Sequence, residues 1–145
     1  MSLINPLYYQ SVSTEPLVLI VEADENTRLM MKYLLKMWKY QVIETADIQD
    51  ALEITNRQRP NFILFSGSAQ SGGSLTVIKR MREMLSEKTE IIFISAFSEP
   101  AIRTSALAAG ANDFLVKPID FGRLEKILGT TSKTKPHFKR LEMFL

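Results

Sequence analysis

Leu17-Val18-Leu19-Ile20-Val21-Glu22-Ala23-Asp24 is the stretch on which the fold turns: an unbroken aliphatic run followed at once by an acid, an alanine and a second acid. A strand with one face in water alternates apolar and polar residues, so a continuous aliphatic run reads as a strand buried on both faces. Both faces are covered when helices flank a parallel sheet. A helix should therefore follow. Met30, Met31, Leu34, Leu35 and Trp38 fall on one stripe of period 3.6, with Lys32, Lys36 and Lys39 off it. That Met and Trp stripe is expected to be core.

The pattern repeats outward along the chain. Gln41 to Thr45 is a short strand, and Ala51, Leu52 and Ile54 mark a helix that must stop before Pro60. Phe62-Ile63-Leu64-Phe65 forms a third strand, opening into the small-residue loop Ser66-Gly67-Ser68-Ala69-Gln70-Ser71-Gly72-Gly73. Leu75, Ile78, Met81 or Arg82, and Leu85 follow at helical spacing, and Ile91-Ile92-Phe93-Ile94 is a fourth strand. Ala101 to Ala109 is a helix closed by Gly110 as a left-handed C-cap. Asp113-Phe114-Leu115-Val116 is a fifth strand, halted by Lys117-Pro118, and Phe121, Leu124, Ile127 and Leu128 begin a last helix ending at Gly129. Strands and helices alternating in this way predict an α/β, doubly wound, five-stranded parallel sheet with helices on both faces. The flavodoxin-like order 2-1-3-4-5 is the leading arrangement, and in such sheets the functional site lies beyond the C-terminal ends of the strands.

The chain's 145 residues suit one domain with a core of its own. The division expected is an N-terminal extension over 1–15, the domain over 16–129 and a basic tail over 130–145. The net charge is +2, and the tail holds Lys133, Lys135, Lys139 and Arg140 against Glu142. A solvated tail is the expectation, and with no reading helix or aromatic platform, nucleic-acid binding is not expected. No cysteine is present, which removes disulfides, thiolate metal sites and cysteine nucleophiles and fits a cytoplasmic setting. No apolar run approaches membrane-spanning length, and the N-terminus lacks a secretory pattern.

The residues just after each apolar run carry a specific resemblance. Val21-Glu22-Ala23-Asp24-Glu25-Asn26-Thr27-Arg28 resembles the receiver-domain pattern of two adjacent acids followed by an arginine at the same interval. Pro60-Asn61-Phe62-Ile63-Leu64-Phe65-Ser66 is similar to the family's segment leading into the phosphoacceptor, and Ile94-Ser95-Ala96 to that bearing the switch hydroxyl. Gly110 to Pro118 resembles the final motif almost throughout. On this basis the chain is identified as resembling the receiver domains of two-component response regulators over residues 16–129.

In that family an aspartate at the third strand end takes a phosphoryl group from a histidine kinase, and two acids at the first strand end help it hold Mg²⁺. A lysine pairs with the phosphoryl group, a Ser or Thr hydroxyl turns toward it, and an aromatic moves inward to reshape the face of helix four, strand five and helix five. Here Glu22 holds the first acidic position and Ala23 the second, while Ser66 stands at the acceptor position. Ser95, Phe114 and Lys117 match the hydroxyl, aromatic and lysine, and receiver domains commonly have the bond before Pro118 in the cis form. Ala69-Gln70 replaces the usual Met-Pro pair.

The resemblance thus implies a degenerate receiver, with no catalytic residue, metal or cofactor and no enzymatic activity. It would act by binding a protein, either a histidine kinase or an output protein, or by homodimerising through helix four, strand five and helix five. Asp24 is expected to cap the first helix, and Lys117 to pair with Glu22 or bond to Ser66. Ser95 also reads as a hydroxyl bonded to nearby backbone, and Phe114 as plain core. One alternative is a receiver modified at a loop serine; another is a small-ligand or anion binder using the vacated pocket. The loop Gly67 to Ser74 has phosphate-loop spacing but carries Gly73 where a lysine is required, which argues against nucleotide binding. Ala69 to Gly73 faintly resembles a nucleophile elbow, but His137, the sole histidine, lies in the tail, which argues against a Ser-His-Asp site.

Overall fold

A computed structural model describes residues 15–67 and 73–131. The elements alternate strictly: β1 Leu17–Val21, α1 Glu25–Met37, β2 Gln41–Thr45, α2 Ile48–Gln58, β3 Phe62–Ser66, α3 Gly73–Met84, β4 Glu90–Ser95, α4 Pro100–Ala109, β5 Asp113–Val116 and α5 Phe121–Thr131. The strands form one sheet in the order β2-β1-β3-β4-β5, with every neighbouring pair parallel. This is the expected doubly wound topology. The last helix runs two residues past the expected end at Gly129. The expectations for the tail, for Ala69-Gln70 and for most of residues 1–15 lie outside the described residues.

The continuous apolar strands are explained by what covers them. Leu19, Val21, Ile63, Phe65, Ile91, Phe93 and Phe114 point to one face and pack against Ala51, Val77, Ile78, Met81 and Ala106 of α2, α3 and α4. Val18, Ile20, Phe62, Leu64, Ile92, Ile94 and Leu115 point to the other, against Met31 and Leu35 of α1 and Leu124 and Leu128 of α5. Successive side chains alternate faces, so both sets can be buried only where helices lie above and below.

The α1 stripe needs correction. Met31 and Leu35 are buried, but Met30 is 48% exposed. Apolar residues occupy so much of this helix that periodicity alone does not fix its inward phase. Polar anchors do: Arg28 and Lys32 reach Glu44 on β2 at 3.0 and 2.7 Å, turning that side of α1 toward the sheet.

Between α3 and β5, Arg82 Nε donates to the Gly110 carbonyl at 3.0 Å and its Nη2 to Asn112 Oδ1. Gly110 has φ +125°, and a Cβ there would lie 2.8 Å from Arg82 Cβ, so glycine is required on both counts. Among the described residues, no helix is long and apolar enough to cross a membrane.

Candidate functional site

Parallel strands in this register end at one level, which gathers the residues that follow them. Ser66 pairs with Ile94, Ser95 pairs with Val116, and Ser66 stands one step beyond the Val21–Phe65 pair, beside Glu22. Three backbone bonds extend the ladders past the strands. The Glu22 amide donates to Thr45 O at 3.0 Å, Gly67 to Ile94 O at 3.1 Å and Lys117 to Ser95 O at 2.7 Å. The loops carrying the candidate residues are thereby fixed to the sheet.

Glu22 is the centre of the cluster and is 3% exposed. Lys117 Nζ donates to its Oε1 at 2.9 Å, and the Asp24 amide donates to its Oε2 at 3.0 Å. Burial pushes the Glu22 carboxyl up, yet the bonds from Lys117, the Asp24 amide and the Ser66 hydroxyl, with the Lys117 charge, together hold it below its ordinary value. The ion pair is lopsided, since the lysine side chain is 31% exposed and the glutamate side chain 4%.

The other candidates are distributed around this pair. Ala23 is exposed on the β1–α1 loop and offers no ligand atom. Asp24 is turned away as the N-cap of α1, accepting from the Thr27 amide at 2.8 Å and the Thr27 hydroxyl at 2.7 Å. Ser66 is nearly buried at the end of β3. Ser95 is fully buried, and its Oγ accepts from the Phe97 amide at 3.0 Å, within its own loop. Phe114 lies inside the core, its ring 6.1 Å from that of Phe93, which in turn stacks on Phe65 at 6.2 Å. The Lys117-Pro118 bond is cis, and Pro118 is exposed. Glu22, Ser66 and Lys117 therefore meet, whereas Ser95 and Phe114 serve the loop and the core.

A second cluster supports the first. Arg28 Nη1 donates to the Glu22 carbonyl at 2.9 Å, and its Nε bonds to Glu44. Lys32 beside Glu44 holds that carboxyl below its ordinary value, with Arg28 acting in the same direction against partial burial. Arg28 thus ties the turn that carries Glu22 to β2 and α1. Its interval from the acids was visible in the sequence, but its role was not. Glu44 was legible only as the charge among apolar neighbours in a short strand, on the same side as Val42.

Comparisons with known proteins agree with the fold. Residues 18–129 match the family model described as response regulator receiver domain. The chain is 29% identical over 111 residues to the transcriptional regulatory protein ZraR of Salmonella typhimurium, covering 77% of this chain and 25% of that protein. It is 28% identical over 102 residues to the phosphate regulon transcriptional regulatory protein PhoB of Escherichia coli, covering 70% of this chain and 44% of that one. The chain thus spans less than half the length of these curated relatives. A response regulator from Thermotoga maritima superposes with TM-score 0.69 at 26% identity, covering 78% of this chain and 97% of that one. The chemotaxis protein CheY4 of Vibrio cholerae shares the fold with TM-score 0.73 at 24% identity, covering 82% and 100%. With the family match running from β1 into α5, and the strand-end residues standing where that family places its site, this chain belongs to the response regulator receiver domain family and so to two-component signal transduction.

Proposed function

We propose that this receiver domain is a degenerate one, which signals without accepting a phosphoryl group and acts by binding a protein partner through α4, β5 and α5. The observation that carries the reading is the 2.9 Å contact between Lys117 Nζ and Glu22 Oε1. The lysine that would meet a phosphoryl oxygen already has an internal anion, at a site whose acceptor position holds Ser66.

The donor set points the same way. A hard divalent ion such as Mg²⁺ prefers several oxygen ligands, with carboxylates supplying charge. Glu22 has both oxygens engaged, Ala23 supplies none, and the Asp24 carboxylate caps α1. Among the described residues, no group of three acids or histidines could hold a metal. These residues do not fit Mg²⁺. A serine hydroxyl is also a weak nucleophile without a neighbouring base, and Glu22, held below its ordinary value by its partners, is a poor one. On this reading the chain carries out no turnover of its own.

The responding half supports constitutive presentation of the partner face. Ser95 Oγ accepts from the Phe97 amide within its own loop, and Phe114 is already packed inward. The face mixes polar residues with small apolar ones such as Ala101 and Ala108. Arg103, Thr104, Ser105 and Arg123 are exposed there, with Leu107 as its exposed large apolar residue at 36%. A partner held by polar contacts over a modest area would bind transiently. A kinase or an output protein of the same pathway, in the cytoplasm, fits that description.

The test is an NMR titration of the ¹⁵N-labelled chain with Mg²⁺ and beryllofluoride, which together mimic a phosphoryl group on a receiver. The amides of Glu22, Ser66, Ser95 and Lys117 should hold their positions. Saturable shifts at these amides would overturn the proposal.

A further inference from the structure

Large apolar side chains are exposed very unevenly over the described surface. Leu29 is 45% exposed, Met30 48%, Tyr33 63% and Met37 69%, all on α1; elsewhere only Phe97 and Leu107 qualify among the described residues, at 38% and 36%. Leu29, Tyr33 and Met37 follow one another at i, i+4 and i+8, with Met30 three residues before Tyr33, so the four form one continuous stripe. It faces away from Met31 and Leu35, which carry the buried side of the helix. A monomer ordinarily exposes its apolar residues singly, and a stripe along a whole helix marks a contact surface.

The charges at the margin of the stripe indicate what covers it. Glu25 stands in the first turn of α1 and Lys36 in the last. Glu25 is four residues before Leu29 and Lys36 seven after it, so acid and base lie along the same edge of the stripe. Lys32 is committed to Glu44 at 2.7 Å. The 13-residue helix has its midpoint at Met31, which is also midway between Leu29 and Tyr33 and within a residue of midway between Glu25 and Lys36. A two-fold axis perpendicular to the helix at that level lays two copies antiparallel and returns each edge upon itself. Leu29 then meets Tyr33 of the second copy, and Glu25 meets Lys36 of the second copy, twice over. The opposed helix dipoles are favourable in the same arrangement. A margin of one sign would call for a partner of the other sign, whereas this margin complements itself.

We propose that the occupant of the α1 stripe is a second copy of this chain, in an isologous antiparallel α1–α1 contact. Such a dimer leaves α4, on the opposite face of the sheet, free for a partner. The contact is one helix pair, which places it at the weak end of specific interfaces.

Sedimentation equilibrium of the full chain from roughly 10 µM to 1 mM, a range suited to a small interface, reads this directly. The mass should rise with concentration from monomer toward dimer. Tyr33→Glu, an exposed change that leaves the core intact, should hold the chain monomeric across the range, and Leu107→Glu should leave the rise unchanged. Glu25→Lys and Lys36→Glu should each weaken self-association at least tenfold, and an equimolar mixture of the two should regain the dimer, because each then supplies the charge the other lacks. A monomer at every concentration overturns the proposal. So does a dimer lost with Leu107→Glu but kept with Tyr33→Glu, or a mixture that does not re-associate.

Discussion

Replacing Lys117 by methionine tests the asymmetry of the ion pair. The variant leaves the Glu22 carboxylate, 3% exposed, with only the Asp24 amide and the Ser66 hydroxyl as partners. Removing one member of a fully buried pair costs about 3–5 kcal/mol. Lys117 is 31% exposed and its charge partly screened, so about 2 kcal/mol is expected here. Glu22→Gln leaves the opposite charge behind, on a lysine that can turn to water, and should cost under about 1 kcal/mol. Urea unfolding of both variants at pH 7, analysed for midpoint and slope, separates the two.

The pH dependence follows from the direction of the Glu22 shift. In the unaltered chain the carboxyl lies below its unfolded value of about 4.3, so its stabilisation is complete above that pH and fades as pH falls through the lower folded value. In Lys117→Met both Lys117 contributions are lost while burial, the largest single influence, remains, so the folded carboxyl should move up toward or above the unfolded one. The variant's deficit is then largest at neutral pH and narrows as pH falls toward about 4. Equal costs for the two variants, or a Lys117→Met deficit unchanged between neutral and acid pH, would refute the reasoning.

Two further outcomes test the scaffold. Thr55 is fully buried on α2, and among the described residues its hydroxyl has no hydrogen-bond partner. Thr55→Val removes a buried unsatisfied group at nearly constant shape, so the urea midpoint should rise by the equivalent of about 1 kcal/mol. Gly110→Ala places a Cβ against Arg82 at positive φ and should destabilise by about 1–3 kcal/mol, read as a lower midpoint with an unchanged slope.

The fold was legible because its determinants are local. Uninterrupted runs such as Leu17–Val21 and Phe62–Phe65 require cover on two sides, and each is followed by a helical pattern. Asp24 as a cap and Gly110 as a helix terminator also follow from residue type and position, whereas the Lys117–Glu22 pairing was one of two partners for the lysine that the receiver resemblance implied. The phase of α1 did not. With apolar residues around most of its circumference, the helix is oriented by Arg28 and Lys32 reaching Glu44, a contact across 16 and 12 positions that no periodicity encodes. Met30 therefore turned outward instead of joining the core. The Arg82–Asn112 link was hidden for the same reason, since position 82 read equally well as an apolar slot until Met81 took the buried place.

The central claim is that this receiver domain is no longer a phosphoacceptor, and the intact mass of the chain after incubation with acetyl phosphate and Mg²⁺ tests it most directly. The mass should stay that of the unmodified chain. A gain of about 80 Da, the mark of a transferred phosphoryl group, would contradict it.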